Sequence, residues 1–66
     1  MKPPTYRRTN DLKPGTSLVS HRTGGAVYVL LRHMPKGVVW LNLNTAAEEP
    51  MEEGRVDEAT WKVVEP

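Results

Sequence analysis

Two apolar runs, Ala26–Leu31 and Val38–Leu43, follow a shorter one at Leu18–Val19 and are divided by two turn signals. Gly24-Gly25 separates the first pair of runs and Met34-Pro35-Lys36-Gly37 the second. Glycines supply the backbone angles that tight hairpins need, and proline presets one of the turn dihedrals. Two hairpins in series make a β-meander. A chain of 66 residues built on one curled sheet has little room for a catalytic cleft. It buries only about 60% of the surface its unfolded form exposes, so its core is thin. There is no cysteine, hence no disulfide or thiolate-bound zinc to staple it, and apolar packing must supply the stability. With no Phe present, Trp40, Trp61, Tyr6 and Tyr28 are the large pieces available alongside Leu and Val.

Met1–Asn10 has two prolines and no apolar periodicity, which predicts a flexible basic arm over residues 1–10 ahead of a single domain over 11–66. Asp11-Leu12-Lys13-Pro14-Gly15 is a turn signature. Strands are predicted at Thr16–Arg22, Ala26–His33 and Gly37–Asn44. Thr45-Ala46-Ala47-Glu48 has the form of a capping box, consistent with one helical turn that Pro50 then stops, in an acidic loop either way. A short fourth strand is expected around Gly54–Val56. Asp57 is placed to cap a single 3₁₀ turn, and Trp61–Val64 returns as the last strand.

This order of elements over Leu12–Val64, with its Lys13-Pro14-Gly15 opening, resembles the SH3-like small barrels. The resemblance implies an all-β, five-stranded barrel with a short 3₁₀ turn before the last strand. Peptide-binding SH3 domains carry a tyrosine cluster, an acidic loop between their first two strands and a tandem Trp. Here the first loop is tight and glycine-rich and the acidic loop follows strand three, so proline-peptide binding is not implied. The stretch His21-x-x-Gly24-Gly25-x-x-Tyr28-Val29-Leu30 also resembles the opening of a bacterial small-domain family of unknown function, which brings no activity with it.

The net charge of +1 hides an asymmetry. Residues 1–37 carry seven cations against Asp11, and residues 38–66 carry seven acids against Arg55 and Lys62. Such a dipolar surface can steer partners or simply keep the chain in solution. Met1-Lys2-Pro3-Pro4 is not followed by an apolar leader, and Ala26–Leu31 is far shorter than the roughly 20 residues that span a bilayer. The expectation is a cytoplasmic protein without a membrane segment, of a size and layout that suit a phage accessory protein.

Strand alternation sorts the meander into two faces. Val27, Val29, Leu31, Val39, Leu41 and Leu43 form an all-aliphatic set, the expected barrel interior. Tyr28, Leu30, Val38 and Trp40 fall on the other face, which is then exposed and rimmed by Arg32 and Asn42, as interfaces are. In a competing arrangement the arm around Tyr6 or the acidic loop folds over this second face. A slip of one residue in register exchanges the two sets.

No catalytic, cofactor or metal site is expected. His21 and His33 are the only imidazoles and lack the convergent partners a metal needs. Glu48, Glu49, Glu52 and Glu53 lie in a predicted loop without the unlike environments that separate acid from base. Gly24-Gly25 lacks the Lys and helix of a phosphate loop. What remains is a non-catalytic binding module engaging a protein through Tyr28, Leu30 and Trp40, with Arg22, Arg32 and Lys36 orienting the partner. Trp40→Ala is then expected to abolish binding with the melting point hardly moved. The alternative is a nucleic-acid-binding barrel in which Arg7, Arg8, Arg22, Arg32 and Lys36 neutralise phosphates while Tyr28 and Trp40 stack on bases. In a third arrangement the face closes a homodimer.

Overall fold

The computed structural model describes residues 5–66. It contains β1 (Tyr6–Arg8), a 3₁₀ turn (Thr9–Asp11), β2 (Ser17–Ser20), β3 (Val27–Met34), β4 (Gly37–Asn42), β5 (Ala47–Glu52), β6 (Arg55–Asp57) and β7 (Trp61–Val64). Five strands form one antiparallel sheet in the order β5-β4-β3-β2-β7, and β1 pairs with β6 as a separate ribbon. The all-β class is as the sequence predicts. Closure into a five-stranded barrel is not: β5 runs through Glu53-Gly54 into β6, which pairs with β1, while β7 pairs with β2 alone. Both β5 and β7 are therefore edges.

The two hairpins form where the turn signals stand. Gly24 takes φ +70° in the first, where Gly25 N–H donates to the Arg22 carbonyl at 2.9 Å. Pro35 and Lys36 span the second, with Met34 opposite Gly37.

The acidic segment departs from its expected form. Thr45-Ala46-Ala47-Glu48 opens no helix. Asn42 stops β4 by accepting from the Asn44 and Thr45 N–H groups at 2.9 and 3.3 Å. Ala46 then takes φ +60° to reverse the chain. Ala47–Glu52 pairs residue for residue with β4, from Asn42 opposite Ala47 to Gly37 opposite Glu52. Pro50 is tolerated because a proline without an N–H can sit on an edge strand.

Tyr6–Arg8 is likewise a strand, held by β6, where a flexible arm is expected. Of the rest of that arm, Thr9 and Asn10 begin the 3₁₀ turn and residues 1–4 lie outside the described residues. Asp57 does cap the turn before β7. Its Oδ1 accepts from Ala59 N–H at 2.9 Å and its carbonyl from Thr60 N–H at 3.0 Å, closing one turn. The 3₁₀ segment itself stands earlier, at Thr9–Asp11.

Leu12, Leu18, Leu30, Val38, Trp40 and Val56 form the core, with Tyr28, Trp61 and Val63 packed against it. Cross-strand pairing puts Leu18 beside Tyr28 and Val63, and Leu30 beside Trp40. Directly opposed residues share a face, so Tyr28, Leu30, Val38 and Trp40 line the buried side of the sheet and not the exposed one. This face is covered, as in the competing arrangement of the sequence reading, but by Leu12, after the first ribbon strand, and Val56 of β6; Tyr6 itself is 51% exposed. The aliphatic set expected inside lies on the other side. The physical reason is the cover itself: Leu12 and Val56 approach only the Leu30 side, and the large apolar side chains Leu30, Trp40 and Tyr28 pack against them there.

Candidate binding surfaces

The six residues expected to bind a partner are not brought together. Tyr28, Leu30 and Trp40 do cluster, but toward the core: Leu30 is 1% and Trp40 6% exposed, and Tyr28 is half-buried. Neither Leu30 nor Trp40 can therefore anchor a partner from the surface. Arg32 is exposed on the opposite side of the sheet, opposite Val39 and past the register shift at Leu31. A β-bulge there interrupts the alternation, so Arg32 leaves the side it would otherwise share with Leu30. Arg22 and Lys36 are exposed in the turns at opposite ends of β3, a strand of eight residues and thus about 25 Å long.

The side of the sheet that the ribbon does not cover is largely apolar. Three cross-strand rows can be read from the pairing. Glu48, Leu41, Val29, Ser17 and Val64 form the middle row; Val27, Val19 and Lys62 lie to one side of it; Pro50, Val39 and Arg32 lie to the other. Leu43 extends the apolar area beyond β4, its N–H bonded to the Val27 carbonyl at 2.9 Å. Leu43 is 53% and Val64 43% exposed, Val19, Val27, Val29, Leu31 and Leu41 are half-buried, and Val39, at 3%, is buried among its neighbours. Charge is confined to the rim, where Arg32 and Glu48 pair at 3.1 Å on one flank and Lys62 stands on the other. The sequence does carry a signal for this surface. Near-continuous apolar runs mark strands with two apolar faces, and antiparallel strands with one wet face alternate instead.

A second feature lies on the buried side. Sheet and ribbon leave between them a cleft of about 250 Å³ lined by Thr9, Leu18, Tyr28, Trp40, Glu49, Met51, Glu52, Gly54, Arg55, Val56 and Trp61. Tyr28 and Trp61 meet edge to face with ring centroids 5.6 Å apart, the arrangement their quadrupoles favour. Glu49 is half-buried. Its Oε2 accepts from Asn42 Nδ2 at 3.0 Å, and the same nitrogen lies 3.5 Å from the Tyr28 hydroxyl.

Much of the remaining charge is paired. Arg7 bonds Glu65 and Arg8 bonds Glu53. The hydrogen bond each arginine donates to its carboxylate raises that arginine further, and Arg7 in turn holds the Glu65 carboxyl below its ordinary range. The histidines are used locally. His33 Nε2 donates to the Leu12 carbonyl at 2.6 Å and His21 Nε2 to the Glu58 carbonyl at 3.2 Å, because a carbonyl can only accept. Among the described residues no group of three His, Cys, Asp or Glu is placed to hold a metal ion, and no helix is long and apolar enough to cross a membrane. Compared with known families, characterised proteins and solved structures, the chain matches none.

Proposed function

We propose that this chain is a non-catalytic binding module that engages a protein partner through the uncovered aliphatic face of its five-stranded sheet. The observation that carries the reading is the Val29–Leu41 pair, directly opposed on β3 and β4 and surrounded by further aliphatic side chains, over which, among the described residues, no other strand packs. An antiparallel sheet with one wet side ordinarily places polar residues there, and an apolar patch with a polar rim is what interaction sites share. Five strands spaced about 4.8 Å apart, each contributing about five residues of about 3.3 Å, give a footprint of roughly 400 Å². Counted on both partners that is about 800 Å², below the roughly 1,200 Å² of a stable specific interface, so the contact is a weak, transient one with a partner that has its own apolar surface. Arg32, Glu48 and Lys62 stand where they orient such a partner without being desolvated at its centre. A cytoplasmic setting accords with a fold that uses no cysteine.

The nucleic-acid alternative has less behind it. Arg7, Arg8 and Arg32 are each committed to a carboxylate, and Tyr28 and Trp40 face the core and so are not set between cations.

Site-specific photo-crosslinking tests the proposal, with the probe at Val29 and a control probe at Lys36, in the cells that naturally make the protein. A discrete adduct to another protein is expected from Val29 and not from Lys36, and a Leu41→Lys background should remove it. An adduct between two copies of the chain reassigns the face to a homodimer. No adduct from Val29 overturns the proposal.

A further inference from the structure

On the opposite side of the sheet, the cleft between sheet and ribbon sets the half-buried Tyr28 and Trp61 beside the carboxylate of Glu49, which has no cationic partner among the described residues, and we infer that it is a binding site for a cationic side chain of a protein, arginine above all. The inference uses none of the residues on the aliphatic face and stands or falls separately from the function proposed above.

Size restricts the ligand first. Sites for small molecules and cofactors usually enclose about 300–1,000 Å³. The cleft holds about 250 Å³, enough for one long side chain entering end-on and too little for a nucleotide or larger cofactor.

Chemistry then selects among side chains. Three of the chain's four aromatic side chains line this space; Tyr28 and Trp61 are half-buried and Trp40, 6% exposed, lies beneath them. Aromatic faces attract cations, with Trp the strongest, and a guanidinium can stack on them as well. Of the acids along the cleft, Glu49 stands opposite Trp40 and so shares its side of the sheet, while Glu52, opposite Gly37, alternates to the other side with Glu48 and Pro50.

Glu49 also differs from its neighbours. Glu48, Glu53 and Glu65 each bond an arginine, whereas Glu49 has no cationic partner among the described residues. Glu49 is moreover fixed in place. Its Oε2 is held by Asn42, a residue 9% exposed whose own Oδ1 is tied to the turn after β4. The carboxylate is thus oriented before any ligand arrives, which lowers the ordering cost of binding. An uncharged side chain gains the apolar contact but leaves this half-buried charge without a partner.

N-acetyl-arginine methylamide and its citrulline counterpart, which keeps the shape and loses the charge, are the probes. Backbone and indole N–H correlation spectra report on Trp40, Trp61 and Glu49. The arginine probe should shift all three saturably in the millimolar range, and the citrulline probe should bind about tenfold more weakly. Glu49→Gln keeps an oxygen for Asn42 and removes the charge, and should cost the arginine probe about fivefold in affinity or more. Leu41→Lys, on the other face, should leave its affinity unchanged. The inference is overturned if citrulline binds as well as arginine, if Glu49→Gln binds arginine undiminished, or if the indole signals stay still up to about 50 mM probe.

Discussion

Leu30 and Trp40 stand directly opposite each other on β3 and β4, and both are closed to solvent. Their neighbours along the same strands, Val29 and Leu41, are also opposed, on the outer side. The sheet thus carries an apolar pair on each face, one covered by the ribbon and the other open. Everything proposed about this molecule turns on that distinction. The covered face carries the stability and, at its open seam, the aromatic cleft. The open face is available to a partner.

The assignment of faces has a direct consequence for stability. Leu30→Ala removes a side chain from a filled site and is expected to cost about 2–5 kcal/mol, and Trp40→Ala about 3–5 kcal/mol. Leu43→Ala, at a position 53% exposed, should change stability by no more than about 0.5 kcal/mol. Denaturant titration of the three variants decides the matter. If Leu43→Ala proves the costly one and Leu30→Ala the mild one, the aliphatic face is the interior after all. Trp40→Ala is accordingly no test of binding, because its loss of fold would mask any loss of affinity.

The same pair shows what the sequence discloses and where it stops. The hairpins are legible because Gly24-Gly25 and Pro35 act within a few residues of themselves. Which face is buried is not, because that is decided by Leu12 and Val56, which approach from far along the chain. Before they are placed, two apolar faces compete on equal terms. β5 is hidden for a different reason. Its Glu-rich, Pro-containing sequence has the local preferences of a loop, and only the register offered by β4 extends it. Of the cleft, the aromatic residues can be picked out in advance as large core pieces. That Glu49 joins them cannot, because it depends on β5 being a strand whose alternate residues face inward.

Gly37 is a point where no side chain fits. It begins β4 opposite Met34 and Glu52, and a Cβ built on it would lie 2.1 Å from the Met51 carbonyl oxygen and 3.0 Å from the Glu52 Cα. Those are backbone atoms of the neighbouring strand and cannot rotate aside, so Gly37→Ala must push β5 away from β4 at this end. The expected cost is at least the roughly 1–3 kcal/mol of an overpacked core. Amide exchange should speed up at Met51–Glu53 well before it does at β2 and β3. Gly24→Ala is the control, because a Cβ there meets nothing within 4 Å and only its φ of +70° opposes it. Equal losses from the two substitutions would mean that the close approach at Gly37 relaxes at no more cost than the φ of Gly24 imposes.

The Arg7–Glu65 pair joins β1 of the ribbon to the segment after β7, bridging the two sheets. Because Arg7 donates a hydrogen bond to it, the Glu65 carboxyl titrates in the folded chain below its ordinary 4.5. The unfolded chain therefore takes up a proton first as pH falls. The stabilisation is complete above the unfolded value, fades as pH drops through the folded one, and is absent once both states are protonated. Denaturant midpoints of the native chain and of Glu65→Gln should differ most above about pH 5 and converge below about pH 3. The gap should narrow in high salt, since both partners are exposed to solvent. If the gap instead widens toward acid, Glu65 is destabilising in its ionised form and the bridge between the sheets does not hold in solution.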